Sequence, residues 1–200
     1  DELIPSGETS SYRSNPERLS EFALSRRDPQ YVGRSKVMRQ IERDREAGKA
    51  LPEEVMKVYE ALTKAGIAND PANTDIGSTI FANMPGDGSA REQAASCQRV
   101  MGASANFAKQ YATKRYRSNC INWGMTPFLV EDPEVFELGD YIFVPGLRAH
   151  VLANDATFSA YAVKPDGTVT EFPVSTGALT EAERQIITDG CLINYYRNNQ

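Results

Sequence analysis

Ser78-Thr79-Ile80-Phe81-Ala82, followed by Asn83-Met84-Pro85-Gly86-Asp87-Gly88-Ser89-Ala90-Arg91-Glu92-Gln93, decides how this chain is read. The first five residues are β-branched and aromatic enough to predict a strand. The run from Arg91 to Met101 is rich in helix formers and meets a stop at Gly102. The glycines between them therefore sit on a strand-to-helix turn, with Ser89 and Arg91 at the helix start. Unpaired backbone N–H groups and the helix dipole favour negative charge there. A hydroxyl and a guanidinium at that place suit the holding of a carboxylate or the stabilising of an alkoxide.

On the N-terminal side, residues 1–15 read as irregular, and Asn15-Pro16-Glu17 opens a short helix, with Asn15 as its cap. Two charged helices are predicted over 35–47 and 52–64. The second carries Leu51, Val55, Val58, Tyr59 and Leu62 on one face. The first has only Val37, Met38 and Ile41 as an apolar stripe, which predicts an arm packed loosely on the main body. On the C-terminal side, strands are predicted over 103–107, 125–130 and 140–144, and a helix over 109–119. A hairpin is expected about Pro165-Asp166-Gly167, and a capping box at Thr180-Glu181-Ala182-Glu183 opens a helix ending near Gly190. The class is α/β.

The bulk properties exclude several functions. A net charge of −5 and a pI near 5.1 argue against nucleic acid as the main partner. No run approaches the roughly 20 apolar residues of a membrane span. Cys97, Cys120 and Cys191 are widely spaced, which fits a reducing compartment and gives no disulfide framework. One histidine, His150, placed near a strand end, cannot supply a His-rich metal site. The cluster Lys109, Lys114, Arg115 and Arg117 reads as a solvated face. The start at Asp1, without Met, reads as that of a piece of a longer chain.

Gly88-Ser89-Ala90-Arg91-Glu92-Gln93-Ala94-Ala95 resembles the Gly-Ser-Ser-Arg-Glu-His-Ala-Ala signature of the aconitase superfamily. Other stretches are similar to that family in the same order. They are Asp1-Glu2-Leu3-Ile4-Pro5-Ser6-Gly7, Arg13 six residues later, Phe107-Ala108-Lys109-Gln110-Tyr111-Ala112, and Arg117-Ser118-Asn119 running to Gly124-Met125-Thr126-Pro127. The resemblance covers residues 1–197 and is weakest over the helical stretch 34–66, which is therefore expected to be an insertion in a single domain of residues 1–200.

The resemblance implies a swivelling β/β/α domain with a mixed, partly barrel-like sheet flanked by helices. It implies the lid of a cytoplasmic hydro-lyase (hydratase) that moves a hydroxyl on a di- or tricarboxylic acid, inactive when isolated. Ser89 would be the base. Arg91 would support it and bind substrate, and Ala90 and Arg13 would stand at substrate-binding positions, with Asp1 behind them. No cofactor or metal is expected in this chain. A [4Fe–4S] cluster would sit in partner domains of the same polypeptide or in a large subunit.

Two departures bear on specificity. Ala90 replaces a serine and Gln93 a histidine of the signature, which leaves the base in place and loosens any assignment to citrate. Read by spacing alone, Ser89 is a helix cap first, and the resemblance is what turns the reading to catalysis. The alternative function is a non-catalytic module that binds a carboxylate or a protein.

Overall fold

The computed structural model describes residues 2–200. Strand β1 (Ser78–Ala82), β2 (Ala103–Ala108) and β3 (Thr126–Leu129) form a parallel sheet in that order. Helices α4 (Arg91–Val100) and α5 (Lys114–Asn122) make its two crossovers. Pairing of Phe81 with Phe107, and of Phe107 with Phe128, lines up aromatic side chains on one face of the sheet. The rings of Phe107 and Phe128 stack at 4.8 Å. The opposite face carries Ile80 and Asn106 toward the helices, because successive strand residues point to opposite sides.

A second sheet is antiparallel, with order β4 (Tyr141–Phe143), β5 (Phe158–Val163), β6 (Val169–Val174). Its period-2 alternation serves two cores. Phe158, Ala160, Ala162, Phe172 and Val174 pack on Phe107 and Phe128. Phe143 and Val163 face the other way, toward Ile41, Val55, Tyr59 and Leu62. Those four residues come from α2 (Tyr31–Glu46) and α3 (Glu53–Lys64), the two charged helices of the N-terminal half.

The sheets meet in one antiparallel bridge, with Leu129 N–H donating to Ser175 O at 2.7 Å and Ser175 N–H to Leu129 O at 3.1 Å. This corrects the barrel-like expectation. The strands run β1-β2-β3, then across the bridge β6-β5-β4, and the two outer strands do not pair. Phe136 occupies the gap, its ring centroid 5.7 Å from Phe81 and 5.6 Å from both Phe107 and Phe172. A side chain of that size holds the two edges beyond hydrogen-bonding reach, and the opening becomes a cleft.

Helix α2 is not loosely attached. Ser35 Oγ donates to Met101 O at 2.7 Å and lies 2.6 Å from Ser78 Oγ, while Arg39 Nη1 donates to Val100 O at 2.7 Å. The helix is therefore pinned to the start of β1 and the end of α4 by polar contacts that an apolar-stripe reading does not register.

Residues 109–113 are not helical, because their backbone is used elsewhere. Gln110 N–H donates to Asn83 O and Ala112 N–H to Pro85 O. Helix α5 starts only at Lys114, capped by the Thr113 hydroxyl on Tyr116 N–H at 3.2 Å. Short helices α1 (Pro16–Ser20), α6 (Leu147–Ala153), α7 (Glu181–Asp189) and α8 (Leu192–Asn198) complete the chain. The Asn15 cap on Arg18 N–H and the Thr180–Glu183 capping box are both formed. His150 lies in α6 rather than at a strand end, 2.7 Å from Asp155 Oδ2 and stacked on Phe158.

Candidate active site

The cleft between the two unpaired sheet edges has a volume of about 680 Å³, within the range of small-molecule sites. Its floor is the end of β1 and the turn 83–88 that leads into α4. One wall is the N-terminal segment, through Leu3, Leu24 and Tyr31. The other is the segment before β4, through Phe136, Leu138 and Asp140.

The turn is held from beneath. Pro85 and Gly86 are buried, and Gly86 O accepts from the Thr113 hydroxyl at 3.0 Å. Gly86 has φ +99, a conformation only glycine adopts freely, and an added Cβ would lie 2.5 Å from Tyr116 Cβ. The turn thus rests directly on the fully buried Tyr116 ring. Below it Tyr116 Oη donates to Gln98 Oε1 at 2.6 Å and accepts from Asn106 Nδ2 at 3.0 Å. This polar knot ties α4, β2 and α5 together under the cleft floor.

Helix α4 begins without a side-chain cap. Its N-cap position is Ala90, so Ser89 lies one residue outside the helix and does not cap it. The cap is supplied from α5 instead. The Asn119 amide, oriented with its oxygen toward Glu92 N–H at 3.1 Å, also donates to Glu92 Oε2 at 3.1 Å. Trp123 Nε1 donates to Glu92 Oε1 at 2.5 Å. Both oxygens of the Glu92 carboxylate are thus engaged, by Trp123 and Asn119.

Arg91 is half-buried and lines the cleft, and its Nε is buried without a hydrogen-bond partner. Among the described residues it forms no ion pair, whereas the other cleft cations do. Arg27 pairs with Glu2 at 2.7 Å, and Arg34 pairs with Asp28. A guanidinium with a desolvated, unpaired N–H favours an incoming anion, and its planar fork matches a carboxylate.

Asp140 stands on the opposite wall with its side chain only 2% exposed. Its Oδ2 accepts from Lys164 Nζ at 3.0 Å and from Glu137 N–H at 2.9 Å, while Oδ1 is buried with no partner. The Asp140 carboxylate raises the Lys164 pKa.

Of the residues singled out in the sequence, Arg91 and Ala90 line the cleft. Ser89 is exposed and is not brought into the cleft lining, although its neighbours Gly88 and Ala90 are, and it makes no hydrogen bond to Arg91. Arg13 is exposed, at the end of a short 3₁₀ turn, and is not brought into the cleft lining. Asp1 lies outside the described residues. Asp140 was missed, because Leu138-Gly139-Asp140 reads only as a turn before a strand. Tyr31 was missed because it lies ahead of the helix predicted over 35–47, in a stretch with no site pattern of its own.

No group of three His, Cys, Asp or Glu side chains among the described residues is arranged to hold a metal ion. Burial pushes the Cys97 thiol pKa up and that of Cys120 to about 12, the opposite of what a thiolate ligand needs. Among the described residues, the buried Cys97 and Cys120 with the distant Cys191 do not fit an iron–sulfur cluster. No helix among them is long and apolar enough to cross a membrane.

No protein-family model matches the chain, and no curated protein matches it. Among solved structures it is similar to the 3-isopropylmalate dehydratase (leuD) of Methanocaldococcus jannaschii, at 22% identity over 72% of this chain and 78% of that one, with a TM-score of 0.42. At that distance the likeness assigns no residue and no chemistry.

Proposed function

We propose that this chain is the lid of an aconitase-like hydro-lyase acting on a di- or tricarboxylic hydroxy acid. The observation that carries the reading is Arg91. It combines a signature position, a place at the start of α4 in the cleft, and a buried N–H with no partner among the described residues. Arg91 binds a substrate carboxylate in two-point contact, and the first-turn amides of α4 add their partial positive charge.

Ser89, next in sequence to the lining residues Gly88 and Ala90, exchanges the proton α to that carboxylate. A serine alkoxide is strongly basic, and donors of this kind stabilise it by about 3 kcal/mol each. The [4Fe–4S] cluster of such enzymes lies in partner domains or a large subunit, since this chain's own thiols do not fit it. The compartment is cytoplasmic.

The test is titration of the protein with dicarboxylates and tricarboxylates. Arg91→Lys is expected to weaken binding about tenfold to a hundredfold, the worth of a charge-assisted hydrogen bond, with an unchanged melting temperature. Binding that is undetectable, or indifferent to Arg91, overturns the reading. In the assembled enzyme, Ser89→Ala with near-normal turnover would remove serine as the base. That result would favour the second reading, a carboxylate-binding module, which the exposed and unbonded Ser89 hydroxyl and the missing hydroxyl at Ala90 motivate.

A further inference from the structure

Building on the carboxylate site at Arg91, we propose that Asp140 is a specificity-determining residue whose Oδ1 accepts a hydrogen bond from a hydroxyl on the bound acid. Strand alternation puts Asp140 on the same face as Ile142, two residues on. Ile142 lines the cleft and packs with the cluster around Phe107 and Phe172. Lys164 is the cross-strand neighbour of Asp140, because Tyr141 pairs with Val163 in an antiparallel register. Lysine and the Glu137 N–H both address Oδ2. They fix the carboxylate plane and leave Oδ1 as the second oxygen, buried and unpartnered.

A buried carboxylate oxygen without a donor is costly. A hydroxyl of a ligand bound in the cleft supplies that donor. Arg27 and Arg34 are engaged with Glu2 and Asp28. Much of the rest of the lining is apolar, through Ile80, Phe107, Phe136 and Ile142. Among the described lining residues, Arg91 Nε and Asp140 Oδ1 are therefore the buried cationic donor and the buried anionic acceptor left without a partner, while Asp87, also in the lining, is exposed to solvent. A ligand complementary to both has a carboxylate and a hydrogen-bond donor. A hydroxyl satisfies Asp140 without adding charge.

The experiment is calorimetric titration of the protein with malate, succinate and aspartate, which share a four-carbon diacid frame and differ at one substituent. Malate is expected to bind at least about tenfold more tightly than succinate, as befits a hydrogen bond to a charged acceptor. In Asp140→Asn, the Lys164 and Glu137 donors hold the amide oxygen at the Oδ2 place and turn the NH₂ toward the ligand. Malate affinity is then expected to fall by about tenfold while succinate affinity holds or rises.

Equal affinities for malate and succinate in the unmodified protein overturn the proposal and mean that water serves Oδ1; this comparison needs no variant. A malate preference that survives in a folded Asp140→Asn protein also overturns it, as does aspartate binding as tightly as malate, which would assign the site to an ammonium. If neither diacid binds in an Arg91-dependent way, the carboxylate site itself fails, and the proposal with it. Arg91-dependent binding of both diacids without a gap defeats the Asp140 assignment alone.

Discussion

Replacing Gly86 with alanine pushes a methyl group into the Tyr116 ring from above the cleft floor. The new Cβ would lie 2.5 Å from Cβ and Cδ1 of Tyr116 and 2.6 Å from Cγ. These atoms are near the root of a fully buried side chain and cannot swing away. The backbone at φ +99 adds a second penalty. An L-residue in such a conformation costs roughly 1–2 kcal/mol, and overpacking a close-packed site roughly 1–3 kcal/mol, so a loss of about 2–5 kcal/mol is expected. For a chain of this size that corresponds to a fall in melting temperature on the order of 10 °C.

Gly33→Ala is the matched control. Gly33 lies inside α2 with nothing within 4 Å of an added Cβ, so helix propensity alone should raise stability by about 0.5–1 kcal/mol. Urea unfolding of both variants, read at constant m-value, measures the two signs together. A Gly86→Ala protein within about 0.5 kcal/mol of the parent would show that the turn does not rest on Tyr116 as described.

Gln98→Leu removes the acceptor of the Tyr116 hydroxyl and a partner of Asn106, both buried. A loss of about 2–4 kcal/mol in urea unfolding is expected, and a loss under about 0.5 kcal/mol would refute the knot beneath the cleft. Stability should also fall at alkaline pH. Burial raises the Cys120 pKa from 9.0 to about 12, so above pH 9 the unfolded chain releases a proton that the folded chain retains. Unfolding is then favoured progressively until the folded thiol also ionises. The raised pKa values of Tyr111 and Tyr116 act in the same direction above pH 10. Denaturation measured across this window should show a negative slope that is shallower in Cys120→Ala, and a flat or rising profile would contradict the burial.

The elements legible in the sequence were those with local signals. The strand at Ser78, the helix from Arg91, the hairpin at Pro165-Asp166-Gly167 and the capping box at Thr180 all formed. What could not be read depended on distant partners. Residues 109–113 have helical composition, but their N–H groups are taken by Asn83 and Pro85. Helix α2 has a thin apolar stripe and is fastened by Ser35 and Arg39 to backbone oxygens more than sixty residues away in sequence.

The candidate site divides in the same way. Arg91 was visible because a glycine turn and a helix start lie next to it in sequence. Asp140 reaches the cleft only because Phe136 keeps the two sheet edges apart, a fact of assembly that carries no local pattern. Arg13 shows the reverse error, since a fixed offset in sequence did not carry it into the cleft lining.

The bond from Trp123 to Glu92 has a practical consequence. This is the single tryptophan of the chain, and its indole N–H is held by the carboxylate of the residue beside Arg91. Indole emission responds to a charge at that nitrogen, so the protein carries its own optical probe on the first turn of α4. A ligand at Arg91 that disturbs this first turn is expected to change the emission, which is read without a label and at concentrations too low for calorimetry.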